Sequence, residues 1–171
     1  MSGHNAASRV AIVRRADEQR RLVARAGIVE VRLIVTAADT DGRCFVAEYV
    51  AQPQAPGPAL HLHRETEETF YVLEGEMQFV VGDERLTADA GTVVHVPRNL
   101  PHAFWNKGPQ ACRMHITMAP GGFERYFEEL FALSNEQAVT GTDIRLLMAK
   151  LNERYDQVVL GPNPFAAPGA K

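Results

Sequence analysis

The stretch HLHRETEETFYVLEGE, residues 61–76, decides how this chain is read. It places two histidines one residue apart, then three glutamates, then a β-branched and aromatic run that ends at Gly75. In a strand, residues i and i+2 face the same way, so His61 and His63 are neighbours with Cα atoms roughly 6–7 Å apart. Two imidazoles at that spacing can converge on one metal at ~2.0–2.1 Å, and imidazole suits Zn, Cu, Fe and Ni. The pattern alone is weak. Six histidines in 171 residues produce about 0.2 such pairs by composition, and a surface or core pair reads equally well.

The glutamates add weight. Strand parity places Glu68, Phe70 and Val72 on one face, so Glu68 is the carboxylate that can re-enter the interior beside the histidines. Glu65 and Glu67 are its rivals, and Glu67 has nearly the same spacing. Both read as solvated or paired with Arg64. Three carboxylates this close repel one another, and a nearby dication offsets that repulsion. A third imidazole comes from GTVVHVPRNLPHAFWN, residues 91–106, where Pro97 and Pro101 force a turn and His102 opens a strand. An antiparallel neighbour would bring His102 beside His61 and His63.

Outward from this centre the chain is a series of short strands divided by glycine and proline. Strand texture covers 28–36, 43–51, 59–63, 69–75, 76–82, 84–91, 92–97, 103–106 and 112–119. QPQAPGP, residues 52–58, is loop, because its prolines and glycine sustain neither ladder nor helix. Such a succession implies an all-β sandwich or barrel rather than βα units. After Pro120 the period changes to 3.6. Phe123, Tyr126, Phe127, Leu130 and Phe131 share one helical face. A second helix is expected from Thr142–Asp143, with Ile144, Leu147, Met148, Leu151 and Tyr155 on its apolar face. The tail GPNPFAAPGAK cannot continue a helix. The domain reading is an N-terminal arm or added edge strand over 1–26, a β-barrel over 27–119, and C-terminal helices and tail over 120–171.

Composition bounds the function. Apolar residues are 46% and charged residues 23%, and 18 basic against 21 acidic side chains leave a net charge of −3. That balance argues against nucleic acid or an anionic membrane as partner. No apolar run reaches the ~20 residues of a membrane span, and the N-terminus lacks the pattern of a secretory signal. Cys44 and Cys112 read as small hydrophobes in a reducing cytoplasm. His95, between valines, is expected on the outer face. His115 is either pocket-lining or outward, and His4 lies in the arm. Met77, Phe79, Val81, Val94, Val96 and Phe104 are expected in the core, where those nearest a metal could instead line an apolar pocket.

The two segments together resemble the cupin superfamily motifs. In the first, G-x5-H-x-H-x3,4-E-x6-G, His61, His63, Glu68 and Gly75 match, while Gly57 sits two residues late and Ala55 holds the glycine position. In the second, G-x5-P-x-G-x2-H-x3-N, Gly91, Pro97, His102 and Asn106 match, and Asn99 stands where the family has glycine. Asparagine tolerates positive φ next best, so the turn is kept, and Asn106 is expected to stabilise it by hydrogen bonds. Within the superfamily, ETFYVLEGEMQFVVG, HVPRNLPHAFWN and MAPGGFERYFEEL are similar to small single-domain quercetin 2,3-dioxygenase-like cupins.

That resemblance implies a double-stranded β-helix, or jelly-roll barrel, with two C-terminal amphipathic helices near its mouth, in a homodimer. It implies one divalent transition metal per chain (Fe, Mn, Ni, Cu or Zn) held by His61, His63, Glu68 and His102. The implied reaction is oxidation of a phenolic or enolic, aromatic small molecule by dioxygen. Glu68 would be ligand, base or both, its pKa raised toward neutrality by the pocket. Phe70, Met77, Phe79, Phe104 and His115 are the candidate substrate pocket. Related cupins imply two alternatives. One is a non-oxidative polyketide cyclase or isomerase that uses the metal as Lewis acid, and the other is a non-catalytic ligand-binding cupin. The 26 residues before the first expected strand are too few for the helix-turn-helix domain of cupin regulators.

Overall fold

The alternation along the chain becomes two antiparallel sheets in a computed structural model, which describes residues 11–24, 27–141 and 143–166. The strands are β1 (Arg20–Ala24), β2 (Val29–Val35), β3 (Phe45–Ala51), β4 (Leu60–Leu62), β5 (Glu67–Glu74), β6 (Glu76–Val81), β7 (Glu84–Asp89), β8 (Val93–Val96), β9 (His102–Trp105) and β10 (Cys112–Ala119). Helices α1 (Phe123–Thr140) and α2 (Arg145–Arg154) follow, then β11 (Val158–Gly161). One sheet has the order β1-β2-β3-β10-β5-β8 and the other β11-β4-β9-β6-β7. The chain passes from β3 to β4 in the second sheet, returns at β5 and leaves again at β6, as a jelly roll does. His4 and Thr142 lie outside the described residues, and with them the expected Thr142 cap.

Parity decides what each face carries. Along β10, Cys112, Met114, Ile116 and Met118 are buried, while Arg113, His115 and Thr117 alternate outward. Phe45, Phe70, Met77 and Phe79 are fully enclosed. The rings of Phe70, Phe79 and Phe104 stack at 5.1–5.8 Å and fill the barrel interior. The outer face of the larger sheet carries charge instead, with Arg32 bonded to Glu48 at 2.7 Å and Arg21 to Glu30 at 2.6 Å.

Two glycines hold places that no side chain could share. A Cβ at Gly57 would lie 1.8 Å from the Phe104 carbonyl oxygen, so loop 52–58 can lie against β9 only there. Gly75 turns the β5–β6 hairpin at φ +74, and a Cβ there would meet the Ala111 oxygen at 2.4 Å. Asn99, at φ 65, makes the left-handed turn with an asparagine, and its N–H donates to the His63 oxygen at 2.7 Å. The Asn106 amide donates to the carbonyls of Ala51, Gln52 and Gln110 at 2.8–3.0 Å, the turn-stabilising role expected of it.

The N-terminal segment is anchored where it is described. Arg14 donates to both oxygens of Asp39 and to the Ile34 carbonyl. Residues 20–24 form the edge strand β1, paired with β2. Helix α1 buries Phe123, Tyr126 and Phe131 and packs Phe127 and Leu130 against the same core. Helix α2 buries Leu151, and Ile144 just before it is buried too, but Leu147, expected on that face, is 45% exposed. At ~100° per residue Leu147 lies about 60° around the helix from Ile144, outside the narrow contact of so short a helix. A short strand that was not expected precedes the tail. Val158–Gly161 pairs antiparallel with β4, placing Val159 opposite His61, and so covers the histidine strand.

Candidate metal centre

The site forms where three strands converge. His61 on β4 faces His102 on β9 in direct register. His63 follows β4, and Glu68 enters from β5, opposite Val96 on one side and Met118 on the other. The four are buried, and one ligand atom from each lies within 4.8 Å of the others. The ring centroids of His61 and His102 are 4.2 Å apart.

Each imidazole is oriented from behind. Nδ1 of His61 lies 2.8 Å from the Ala59 oxygen, that of His63 2.7 Å from the Asp156 oxygen, and that of His102 3.0 Å from the Leu100 oxygen. A carbonyl oxygen only accepts, so each Nδ1 carries the proton and each Nε2 presents a lone pair to the centre. There they meet a carboxylate. Glu68 Oε2 lies 3.1 Å from His102 Nε2 and 3.4 Å from His63 Nε2, and the His63 atom is buried without a hydrogen-bond partner. Lone pairs packed against a carboxylate require positive charge between them, either protons or a metal cation. The donor set of three nitrogens and one oxygen fits a transition metal, with each ring held by an outer hydrogen bond as metal-binding histidines are.

The electrostatics follow from burial and these contacts. Burial, with His102 nearby, pushes His61 down to about 3, so it stays neutral. Burial also opposes charge on His63, but contact with the Glu68 carboxylate outweighs it and raises that histidine. Glu68 departs from the expected upward shift. Burial does push it up, yet His102 and His63 together hold it well below the usual carboxylate range. It is therefore ionised in the folded protein.

A cavity of about 210 Å³ opens from this centre. His61, His63 and Glu68 lie on its barrel wall. Tyr49, Phe104, Ile116, Phe123, Phe127 and Phe131 make it apolar and largely aromatic. The facing elements, α1, α2 and the turn after α2, contribute the polar groups Tyr126, Asn152 and Gln157.

Residues 47–121 match the family described as the cupin domain. Over that stretch the chain is similar to cupin domains. Quercetin 2,3-dioxygenase of Bacillus subtilis (strain 168) is 29% identical over 99 residues, which are 58% of this chain and 29% of that enzyme. The chain thus spans less than a third of the length of that relative. A predicted oxalate decarboxylase from Thermotoga maritima superposes with a TM-score of 0.56 at 22% identity, over 64% of this chain and 99% of that one. The polyketide cyclase RemF from Streptomyces resistomycificus superposes with a TM-score of 0.55 at 23% identity, over 64% and 80% of the two chains. Both likenesses show the fold.

Within residues 47–121 the four residues singled out for a metal lie together, and those singled out for a substrate divide. Phe104 lines the cavity. Phe70, Met77 and Phe79 do not, because they fill the barrel below it. His115 is on the outer face of β10, since Ile116 beside it points in. His95 is exposed too, with the Thr69 hydroxyl 2.9 Å from its Nδ1. Glu65 is exposed, and Glu67 pairs with Arg98 at 3.3 Å rather than with Arg64.

Several residues at the site were not anticipated. The Asp156 carboxylate accepts from the N–H groups of Arg64, Glu65 and Thr66 at 2.9–3.1 Å, and from the Thr66 hydroxyl at 3.1 Å. One residue thereby fixes the loop between His63 and Glu68 and supplies the oxygen behind His63. Its signal in the sequence is slight, an aspartate just past a helix end. Tyr126 was placed on an apolar helical face, and its hydroxyl gave no separate sign of facing the cavity.

Proposed function

We propose that this protein is a metal-dependent enzyme, of the dioxygenase kind, acting on a phenolic or enolic small molecule. One observation carries the reading: His61, His63 and an ionised Glu68 stand on the wall of a largely apolar, ring-lined cavity, with His102 completing the donor set behind them. A divalent transition metal (Fe, Mn, Ni, Cu or Zn) held by His61, His63, Glu68 and His102 would supply a Lewis acid and, for the redox-active ions, an electron path to dioxygen.

The remaining work falls to the chain. The aromatic walls bind a flat apolar substrate and exclude water. Glu68, ionised and of low proton affinity, orients the substrate hydroxyl and relays its proton rather than storing it. The carbonyls of Ala59, Asp156 and Leu100 keep the three rings aimed at the centre. Oxygen uptake tests the reading, with phenols and enols offered to Fe-, Mn-, Ni- and Cu-loaded protein. Uptake should depend on the metal and vanish in His61→Ala, and no uptake with any metal overturns it.

A second reading has its own support. Tyr126 lines the same cavity as Glu68, so a phenol hydrogen-bonded to Asn152 and a carboxylate border one substrate space. That pair suits cyclisation or isomerisation by proton transfer, with the metal as Lewis acid and no oxygen consumed. Turnover in strictly anaerobic buffer selects it. Either enzyme is proposed to work as a homodimer in a reducing cytoplasm. Supporting this are the free Cys44 and Cys112, the latter pushed up to about 11 by burial, and the exposed Leu146, Leu147 and Leu160. Among the described residues no helix is long and apolar enough to cross a membrane.

A further inference from the structure

The cavity is small, and its barrel end is closed. A dry apolar cavity of ~150 Å³ accepts benzene, while pockets for drug-sized ligands begin at ~300 Å³. At about 210 Å³ this one holds a single six-membered ring with roughly 60 Å³ to spare. That is the space of about two waters, or of two or three small substituents. It cannot lengthen into the barrel, because Phe70 and Phe79 stand behind Phe104 at ring distances of 5.4 and 5.8 Å. On the other side the α1 rings narrow it, with Phe123 packed on His63 at 5.0 Å and on Tyr126 at 5.0 Å.

The wall formed by the helices is polar at one spot. The Tyr126 hydroxyl, buried, donates to Asn152 Oδ1 at 3.1 Å and hydrogen-bonds the Gln157 side chain, which is buried as well. These groups partner one another, and the polar spot they form on the wall favours a polar substituent over an apolar one there.

We propose that the cavity selects a single-ring enol or phenol bearing a further polar group, and rejects flavonols and other fused-ring compounds. The enol or phenol oxygen faces His61, His63 and Glu68, and the second polar group meets Tyr126, Asn152 and Gln157. This rests on the reading that the cavity is the substrate site, and it narrows the substrate to one ring.

Binding without turnover tests it. Protein loaded with Zn²⁺, which is redox-inert, is titrated calorimetrically with two probes that share one enol head. The first is 3-hydroxy-2-methyl-4-pyranone, a single ring. The second, 3-hydroxyflavone, carries that head on a three-ring frame. If both fitted, the extra apolar surface would make the flavone the tighter ligand. The expected result is the reverse, with the flavone at least tenfold weaker.

Phe127→Ala, which enlarges the cavity, should improve flavone binding at least tenfold. If its zinc content shows that it has not folded, Leu130→Ala takes its place. Tyr126→Phe should weaken the pyranone about fivefold at unchanged zinc content. Flavone binding to the unmodified protein as tight as pyranone binding overturns the proposal, as does no binding of the pyranone. The two readings fail separately. Selective pyranone binding without oxygen uptake leaves the one-ring site standing and removes the oxygenase. Oxygen uptake equally fast with the flavone does the opposite.

Discussion

His61, His63 and His102 share a barrel with His95 and His115, yet the two sets live in different chemistry. The first three are buried, each ring held by a backbone carbonyl and aimed at Glu68. His95 and His115 stand on outer faces, one beside a threonine hydroxyl and the other across from Glu48 and Tyr71. Residue type does not separate them. Strand parity and what lies behind the ring do, since a one-residue shift in a strand moves a side chain from cavity to solvent.

The largest test removes the inner pair. The double variant His61→Ala/His63→Ala should lose essentially all bound metal by elemental analysis, a fall in affinity of more than about a thousandfold, as two of four donors are gone. His95→Ala/His115→Ala should keep full metal content. Equal loss from both double variants would erase the distinction.

A smaller change sharpens it by leaving every donor in place. Asp156→Ala removes the carboxylate that holds the backbone of residues 64–66. It also puts alanine at φ 57, a conformation asparagine tolerates far better. Partners of this kind typically carry 10–100-fold in metal affinity. Asp156→Ala should therefore weaken zinc binding by about that factor, and Asp156→Asn by less. Zinc affinity unchanged in the alanine variant would show that the Asp156 carboxylate is not needed to hold His63 in place, the backbone carbonyl of residue 156 being retained.

Asp156 also marks the limit of what the sequence discloses. Alternation was legible wherever a strand had one buried and one wet face, as in residues 112–119, and parity alone singled out Glu68 from Glu65 and Glu67. The second cupin motif supplied His102, which no local pattern ties to His61. β11 was not legible, because four residues ending in a glycine just before Pro162 become a strand only by pairing with β4, nearly a hundred positions earlier. The pKa of Glu68 was misjudged for a related reason. Burial pushes it up and two imidazoles push it down, and only the distances of 3.1 and 3.4 Å say which prevails. Of the residues expected in a pocket, Phe104 lines the cavity and Phe70, Met77 and Phe79 do not, because aromatic residues of the same parity fill both the barrel and the cavity wall.

pH distinguishes the inner histidines from one another. Metal binding requires neutral imidazole. His61, at about 3, is already neutral across the working range, and Glu68 is ionised. His63 is raised above the ordinary ~6.5 by Glu68, so in the metal-free protein it holds a proton to higher pH than a free histidine does. The sign follows. Below the His63 pKa a proton competes with the metal, and affinity falls about tenfold per pH unit. Above it affinity is flat. Zinc titrations from pH 8 to pH 5 should show this loss of affinity beginning above pH 6.5, with proton release on metal binding. Affinity independent of pH over that range would remove the contact between His63 and Glu68 from the account.

The smallest effect is the most discriminating about parity. His115 lies between Met114 and Ile116, both buried, and Ile116 lines the cavity. A shift of β10 by one residue would therefore carry His115 into the site and Ile116 out of it. In the observed register His115 is opposite Glu48, which Arg32 already holds at 2.7 Å, so the imidazole is not needed to balance that charge. Cross-strand contacts on such a face contribute about 0.2–1 kcal/mol. His115→Ala should thus change unfolding free energy by no more than about 0.5 kcal/mol, with metal content and pyranone binding unaltered. Loss of the metal or of the pyranone in this variant alone would mean that β10 presents its other face to the cavity, and the site would have to be rebuilt around a fourth imidazole.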